Sequence, residues 1–303
     1  MKKYLIIGGA GFIGSHLSEA LLKQKNKVVV VDASVFAFPG IKAYKIDVDD
    51  AKKIGGVFRK EKPDFVFHLA GAINLRRQIT DPLFVNDIDF LSRTKVILDI
   101  CQKNNIKKVI FVSSGGAIYQ DAVSVPTKET YLAHPTSLYG LANLAIEKYL
   151  QLHCQNNNLH FVVARLSNAY GSGQWESGFI PAIILKILKK ENPILYGTGN
   201  QTRDFIYIDD VVEALIVLAK RGDNEIYNVG SSKEISLNTL FELTRELLGA
   251  KIKPIYKNSN IQETQRSALD IKKMKKAFGW QPKTDIKEGL LKTIEWYKKN
   301  EEN

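Results

Sequence analysis

Cysteine is nearly missing from this sequence. Two of its 303 residues are cysteines. They are Cys101 and Cys154, and neither belongs to a C-x-x-C pair. That excludes a disulfide framework and a redox dithiol. The five histidines show no metal-ligand spacing, and His153 beside Cys154 reads as helix packing. No metal site is expected. No run reaches the roughly eighteen uninterrupted apolar residues of a membrane span. Internal repeats and low-complexity linkers are absent too. Met1-Lys2-Lys3 leads straight into a strand-like Tyr4-Leu5-Ile6-Ile7, without the longer apolar stretch and cleavage site of a signal peptide. A soluble, cytoplasmic protein with no membrane partner is expected.

What the sequence has in excess is positive charge, a formal net +11. The lysines are scattered and gather on solvated helix faces, such as Lys272, Lys273, Lys275 and Lys276. No basic stretch is interleaved with aromatics, so no nucleic-acid partner is expected. A small anionic substrate is enough to benefit from the charge. The length suits one large α/β domain with a smaller companion.

The first half reads as a nucleotide-binding sheet. Lys3 to Ile7 is a buried-strand pattern, followed by Gly8-Gly9-Ala10-Gly11-Phe12-Ile13-Gly14. A helical pattern runs from about Ile13 to Lys25. Val28 to Val31 is wholly β-branched without alternation, as expected of a parallel strand buried on both faces. Asp32 ends it. Strand, glycine turn, helix, strand and acid together form a dinucleotide fingerprint. The glycines make the tight turn, admit a pyrophosphate to the backbone N–H groups, and let the helix pack on the strand. The helix N-terminus adds its dipole. Asp32 would accept hydrogen bonds from both adenosine ribose hydroxyls and repel a 2′-phosphate, which favours NAD over NADP. Gly8, Gly11, Phe12, Ile13 and Gly14 would meet the cofactor.

The alternation continues. Tyr44 to Val48 reads as a third strand, with Asp47 and Val48 placed to contact adenine. Phe65 to Ala70 reads as a fourth and Val109 to Ser114 as a fifth, separated by helices that include roughly Ser92 to Asn104. The pattern predicts a Rossmann-type doubly wound parallel sheet with a smaller α/β substrate lobe. Ligands bind beyond the carboxyl ends of such strands, so His68, Leu69, Ala70 and Gly71 should face the cofactor, and Ser113 to Gly116 with them.

Further motifs follow in order. They are His68-Leu69-Ala70-Gly71, Phe111-Val112-Ser113-Ser114 ahead of Tyr119, and Tyr139-Gly140 opening a helix. Arg165 to Gly171 reads R-L-S-N-A-Y-G. Gln201 to Asp210 reads Q-T-R-D-F-I-Y-I-D-D, and Phe278 to Pro282 reads F-G-W-Q-P. Over nearly its whole length the chain resembles the extended short-chain dehydrogenase/reductase family, in particular its UDP-glucose 4-epimerase-like nucleotide-sugar enzymes. The resemblance implies that Tyr139 is the acid/base taking a proton from a sugar hydroxyl while hydride passes to NAD. It implies that Asn168 and Arg203 contact the substrate diphosphate, which suits the planar fork of an arginine. It places Phe179 against the nucleotide base. It also suggests a homodimer through helices near Ser92 to Asn104 and Tyr139 to Gln151.

The sequence departs from that family at several points. The family has lysine four residues after the tyrosine; here stands Asn143. A free tyrosine has a pKa near 10 and is a poor base at neutral pH, so a slower enzyme or a raised pH optimum is expected. Lys148 lies on the opposite side of the helix. Asn143 can still hydrogen-bond a ribose. The family's shuttle hydroxyl falls at Gly115, which leaves Ser114 as the first candidate and Ser113 as the next. The second phosphate arginine falls at Asn260, with Arg266 a nearby substitute. Ser267, small, leaves room for an N-acetyl group. Gly116-Ala117-Ile118 lacks the Asp-Glu pair that sugar 4,6-dehydratases use to remove water.

The expected division is residues 1–170 with 203–222 for the NAD domain, and 171–202 with 223–303 for the sugar lobe. Asp204 to Lys220 is expected to return to the main sheet, and Ile226 to Gly230 to join the lobe. The sugar would lie in the cleft between the two. Three functions stay open: an NAD-dependent C4 epimerase of a UDP-hexose or UDP-N-acetylhexosamine, a nucleotide-sugar 4-reductase or dehydrogenase, and a nucleotide-sugar-binding homologue with impaired catalysis.

Overall fold

A computed structural model describes residues 1–34, 37–70, 86–120, 122, 124–176, 178–258 and 264–301. The first half holds β1 (Lys3–Ile7), α1 (Phe12–Lys23), β2 (Lys27–Asp32), β3 (Lys42–Lys45), α2 (Ala51–Glu61), β4 (Phe65–His68) and α3 (Asn86–Lys103). Then come β5 (Lys108–Ser114), the short α4 (Gly115–Ile118), α5 (Leu138–Asn157), β6 (His160–Leu166) and β7 (Asn168–Tyr170). The remainder holds α6 (Phe179–Leu188), β8 (Ile194–Tyr196), β9 (Thr202–Arg203), β10 (Phe205–Tyr207), α7 (Ile208–Arg221) and β11 (Glu225–Val229). It closes with β12 (Ile235–Ser236), α8 (Leu237–Leu247), β13 (Ile255–Lys257), α9 (Lys272–Phe278) and α10 (Ile286–Glu301).

One seven-stranded sheet has the order β11-β6-β5-β4-β1-β2-β3. The pairs β1–β2, β1–β4, β2–β3 and β4–β5 run parallel. The order reverses between β1 and β4, and the carboxyl ends of these two strands mark the switch point at which doubly wound sheets bind ligands. The unalternating valines explain themselves here. Val28 to Val31 are all buried, because helices cover both faces. Val29 and Val31 join a core with Leu5, Ile7, Phe58 and Val66, while α3 contributes Ile97, Leu98 and Cys101 and α5 contributes Ile146, Leu150 and Cys154. Each buried aliphatic side chain stabilises by about 1.5–3 kcal/mol before entropy is counted.

The chain forms two compact units. The first comprises Met1–Ile118, Pro135–Arg165 and Val212–Tyr227; the second comprises Tyr119–His134, Leu166–Val211 and Asn228–Asn303. Residues 119–134 thus group with the second unit, and the chain passes between units more often than the strand–helix alternation indicates. In the second unit the strands pair two by two: β7 with β10, β8 with β13, and β9 with β12. Ile183, Ile187, Leu195 and Phe241 form its small core. The Asp210 carboxylate accepts from the N–H groups of Lys283 and Thr284 at 2.9 and 3.0 Å, which anchors the segment before α10.

Three expectations are corrected. Phe205–Tyr207 does not return to the main sheet but pairs in parallel with Asn168–Tyr170. Glu225–Val229 is not part of the lobe's own sheets but the edge strand of the seven-stranded sheet. A short apolar run carries no information about which partner it will take. The third strand is Lys42–Lys45, so Asp47 and Val48 fall in the turn after it. Among the described residues no helix is long and apolar enough to cross a membrane, and no group of side chains is arranged to hold a metal ion.

Candidate functional site

The glycine turn after β1 is built by close backbone approach. Gly8 has φ +84°, a region that glycine enters without strain. A Cβ on Gly8 would lie 2.6 Å from the Ala70 nitrogen, and one on Gly14 would lie 2.3 Å from the Gly8 carbonyl oxygen. The turn, the start of α1 and the end of β4 therefore meet with no room for a side chain. Gly11 is the N-cap of α1 and supplies no side-chain cap. The first-turn N–H groups and the helix dipole are left to serve an anion. Phe12 and Ile13 open that helix and are partly buried.

Asp32 sits at the end of β2. Its Oδ2 accepts from the Ala10 N–H at 2.9 Å and its Oδ1 from the Ser34 N–H at 2.8 Å. The carboxylate that would read a ribose diol is thus oriented by the glycine turn itself. Asp47 is exposed in the turn after β3, and Val48 beside it packs on the core. Val48, Asp49, Ser92, Arg93 and Val96 line a pocket. Arg93 grips Asp49 through Nε–Oδ1 and Nη2–Oδ2 contacts of 2.5 and 2.7 Å. Leu69 and Ala70 follow β4, and the Leu69 N–H donates to Ile7 at 2.9 Å. Gly71 lies outside the described residues, as does Asn260. The glycine cradle, the uncapped helix start and the carboxylate of Asp32 fit a dinucleotide.

Beyond β5 the two serines differ. Successive strand residues face opposite sides. Ser113 is 3 % exposed, and its hydroxyl donates to Oε1 of Glu147 at 2.6 Å. Ser114 is partly exposed. The Ser113 hydroxyl is thus committed inward. Helix α5 starts beside them. Ser137 caps it by accepting from the Gly140 N–H at 3.1 Å. A Cβ on Gly140 would lie 2.3 Å from the Ala117 carbonyl oxygen, so the first turn of α5 rests directly on α4. This contact places Tyr139, which is partly exposed. One turn on, Asn143 is 1 % exposed and donates from Nδ2 to the Tyr139 carbonyl at 2.9 Å. Lys148 is exposed.

The second unit brings Asn168 and Arg203 together. The Asn168 N–H donates to the Asp204 carbonyl at 2.9 Å, next in sequence to Arg203. Arg203 donates from Nη1 to the carbonyls of Thr202 and Thr264 at 2.8 and 2.7 Å. Phe179 opens α6 with its ring 6.3 Å from that of Phe205. Arg266 is placed differently. It is exposed, and its Nε and Nη2 pair with the Glu234 carboxylate at 3.1 and 2.5 Å.

Sequence reasoning missed two groups, Asp204 and Glu147, and it expected His68 to face the cofactor, whereas the ring is buried. Asp204 is buried and accepts from the N–H groups of Ser231, Ser232 and Leu269 and from the Ser231 hydroxyl. It joins the loops that flank Arg203. Burial pushes its carboxyl upward, against the pull of those donors. His68 ends β4 between the rings of Phe90 and Phe111. The Thr94 hydroxyl donates to Phe90, so His68 Nε2 is the donor in its 2.9 Å contact with Thr94. Burial lowers its pKa to about 4, and the ring is neutral. Glu147 was signalled by its spacing of eight from Tyr139, but a lone glutamate within a helix reads as a solvated face.

Comparison with known proteins agrees with this geometry. Residues 4–230 match the model of the NAD dependent epimerase/dehydratase family. A putative UDP-glucose 4-epimerase of Methanocaldococcus jannaschii is 36% identical over 304 residues, covering 98% of each chain. The UDP-glucose 4-epimerase of Thermotoga maritima, solved with UDP-glucose, superposes with a TM-score of 0.93 at 33% identity, over 98% of this chain and 99% of that one. The UDP-N-acetylglucosamine 4-epimerase of Methanobrevibacter ruminantium, solved with UDP-N-acetylmuramic acid, gives 0.90 at 31% identity over 99% of both. The chain belongs to the NAD dependent epimerase/dehydratase family of extended short-chain dehydrogenases, and NAD is its cofactor.

Proposed function

We propose that this protein interconverts two nucleotide sugars by inverting C4 of a UDP-hexose or UDP-N-acetylhexosamine. The observation that carries the reading is Tyr139, partly exposed on the first turn of α5 and set there by the Gly140–Ala117 contact. It stands in the same unit as the glycine cradle and Asp32. Bound NAD supplies a hydride acceptor that returns what it takes. Tyr139 removes the proton from the sugar's 4-hydroxyl, with Ser114 relaying it, and gives the proton back after the 4-keto sugar has turned over. Asn168 and Arg203 hold the diphosphate while the sugar rotates, and Phe179 packs against the base. Ser267, small and partly exposed, tolerates an N-acetyl group, and one relative acts on such a sugar. The stretch Gly116-Ala117-Ile118 holds no carboxylate, which argues against dehydration.

One observation favours a second reading. The residue at the family's lysine position is a buried asparagine bonded to its own helix. A reductase or dehydrogenase completes half of the cycle and needs no sugar rotation. Denaturing the purified protein and identifying the released nucleotide by mass spectrometry separates the two. Near-stoichiometric NAD, with conversion of UDP-glucose or UDP-N-acetylglucosamine without added cofactor, supports the epimerase. An empty protein that consumes added NADH supports the reductase. We also propose a homodimer through α3 and α5, where Leu138, Leu141 and Leu152 are exposed. A light-scattering mass of one chain removes it.

A further inference from the structure

Three donors from two adjacent strands converge on one carboxylate of the tyrosine-bearing helix. Glu147 is 0 % exposed and Arg165, on β6, is 4 % exposed. Arg165 donates from Nε to both carboxylate oxygens at 3.0 and 3.1 Å, and from Nη2 to Oε2 at 2.5 Å. Ser113, on β5, donates to Oε1 at 2.6 Å. Tyr139, Asn143 and Glu147 stand at i, i+4 and i+8, on a single stripe of α5.

We propose that Glu147 is a positioning residue, and that its ion pair with Arg165 and its bond from Ser113 set where Tyr139 stands against the end of β5. The inference rests on the reading of Tyr139 as the acid/base. A buried ion pair is poor economy for stability alone, because an apolar pair of similar volume often does as well. What it supplies is direction. An apolar contact tolerates a small slide or rotation of the helix, whereas a bidentate guanidinium and a hydroxyl accept one arrangement. Tyr139 lies about 12 Å up the axis from Glu147, at 1.5 Å per residue. A rotation at Glu147 is carried to the phenol by the rigid helix. The same carboxylate holds Ser113, so the neighbouring Ser114 is fixed in phase with Tyr139. Arg165 lies three residues before Asn168 in the sequence, so the β6 end leading to it is held as well.

The test compares the NAD-loaded enzyme with two variants. Ser113→Ala removes one bond and keeps the ion pair, so the fold is safe. Glu147→Leu/Arg165→Met replaces the pair by apolar volume. We expect kcat to fall about three- to tenfold in the first and more than about tenfold in the second, since small misplacements of reacting groups are costly. KM and NAD content should stay within about twofold, and the double variant should melt near the parent. Wild-type kcat in either variant, or kcat and KM changing in step, overturns the proposal. Fluorine NMR of 3-fluorotyrosine at position 139 reads the placement without turnover. A shifted or doubled resonance in both variants is expected, and an unmoved one overturns it. Wild-type kcat in Tyr139→Phe would sink the acid/base reading, while the fluorine signal still decides whether Glu147 positions that ring.

Discussion

The side-chain amide of Asn143 donates to the backbone carbonyl of Tyr139 at 2.9 Å, from a position that is 1 % exposed. The residue that replaces the family's lysine therefore returns its hydrogen bond to its own helix. An amide adds no positive charge near the phenol, and a free tyrosine holds its proton to a pKa near 10. The turnover rate should climb as the pH is raised above neutrality. Asn143→Lys should move that rise to lower pH and raise the rate near neutrality about tenfold. A pH–rate profile of both proteins checks this, and no gain near neutrality counts against the electrostatic account.

Arg203 and Arg266 should part company on mutation. Arg203 is held by the carbonyls of Thr202 and Thr264, whereas Arg266 is exposed and paired with Glu234. Arg203→Ala should raise KM for the nucleotide sugar about 30-fold or more, the loss of a charge-assisted pair worth about 2–3 kcal/mol. Arg266→Ala should change KM by less than about threefold. Equal effects would assign Arg266 to the diphosphate after all.

Gly14→Ala puts a methyl group 2.3 Å from the Gly8 carbonyl oxygen. Backbone rather than a flexible side chain is in the way, so the turn must open. The variant should lose bound NAD and about 1–3 kcal/mol of stability, read by released nucleotide and by chemical denaturation. Gly249→Ala meets nothing within 4 Å but has φ +62°, so it should cost only backbone strain and leave the NAD content unchanged.

Acid should weaken the first unit through His68. Its folded pKa is about 4, lowered by burial, against about 6.5 for an unfolded histidine. The unfolded chain therefore binds the proton first. Stability is fully present above about pH 6.5, falls as the pH drops towards 4, and then levels, a loss on the order of 3 kcal/mol. Urea midpoints between pH 7 and 4 measure the slope. His68→Asn should flatten it, at the expense of a constant loss from packing.

The amino-acid sequence by itself determined the cofactor half of this protein. Unalternating valines, spaced glycines and a terminal acid are local signals, and each states its own burial or backbone need. The glycine turn, Asp32, Leu69 and Ala70 follow the carboxyl ends of β1, β2 and β4, which are neighbours in the order β11-β6-β5-β4-β1-β2-β3. The sequence also carried the tyrosine and its missing lysine, because four residues along a helix is one turn. Tertiary structure decided the rest. It turned Ser113 inward to Glu147, sent Arg266 to Glu234, and placed Phe205–Tyr207 beside Asn168–Tyr170 instead of in the main sheet. In each case the partner lies tens of residues away. A side chain's chemistry shows what it can bind, but the fold decides which partner comes within 3 Å.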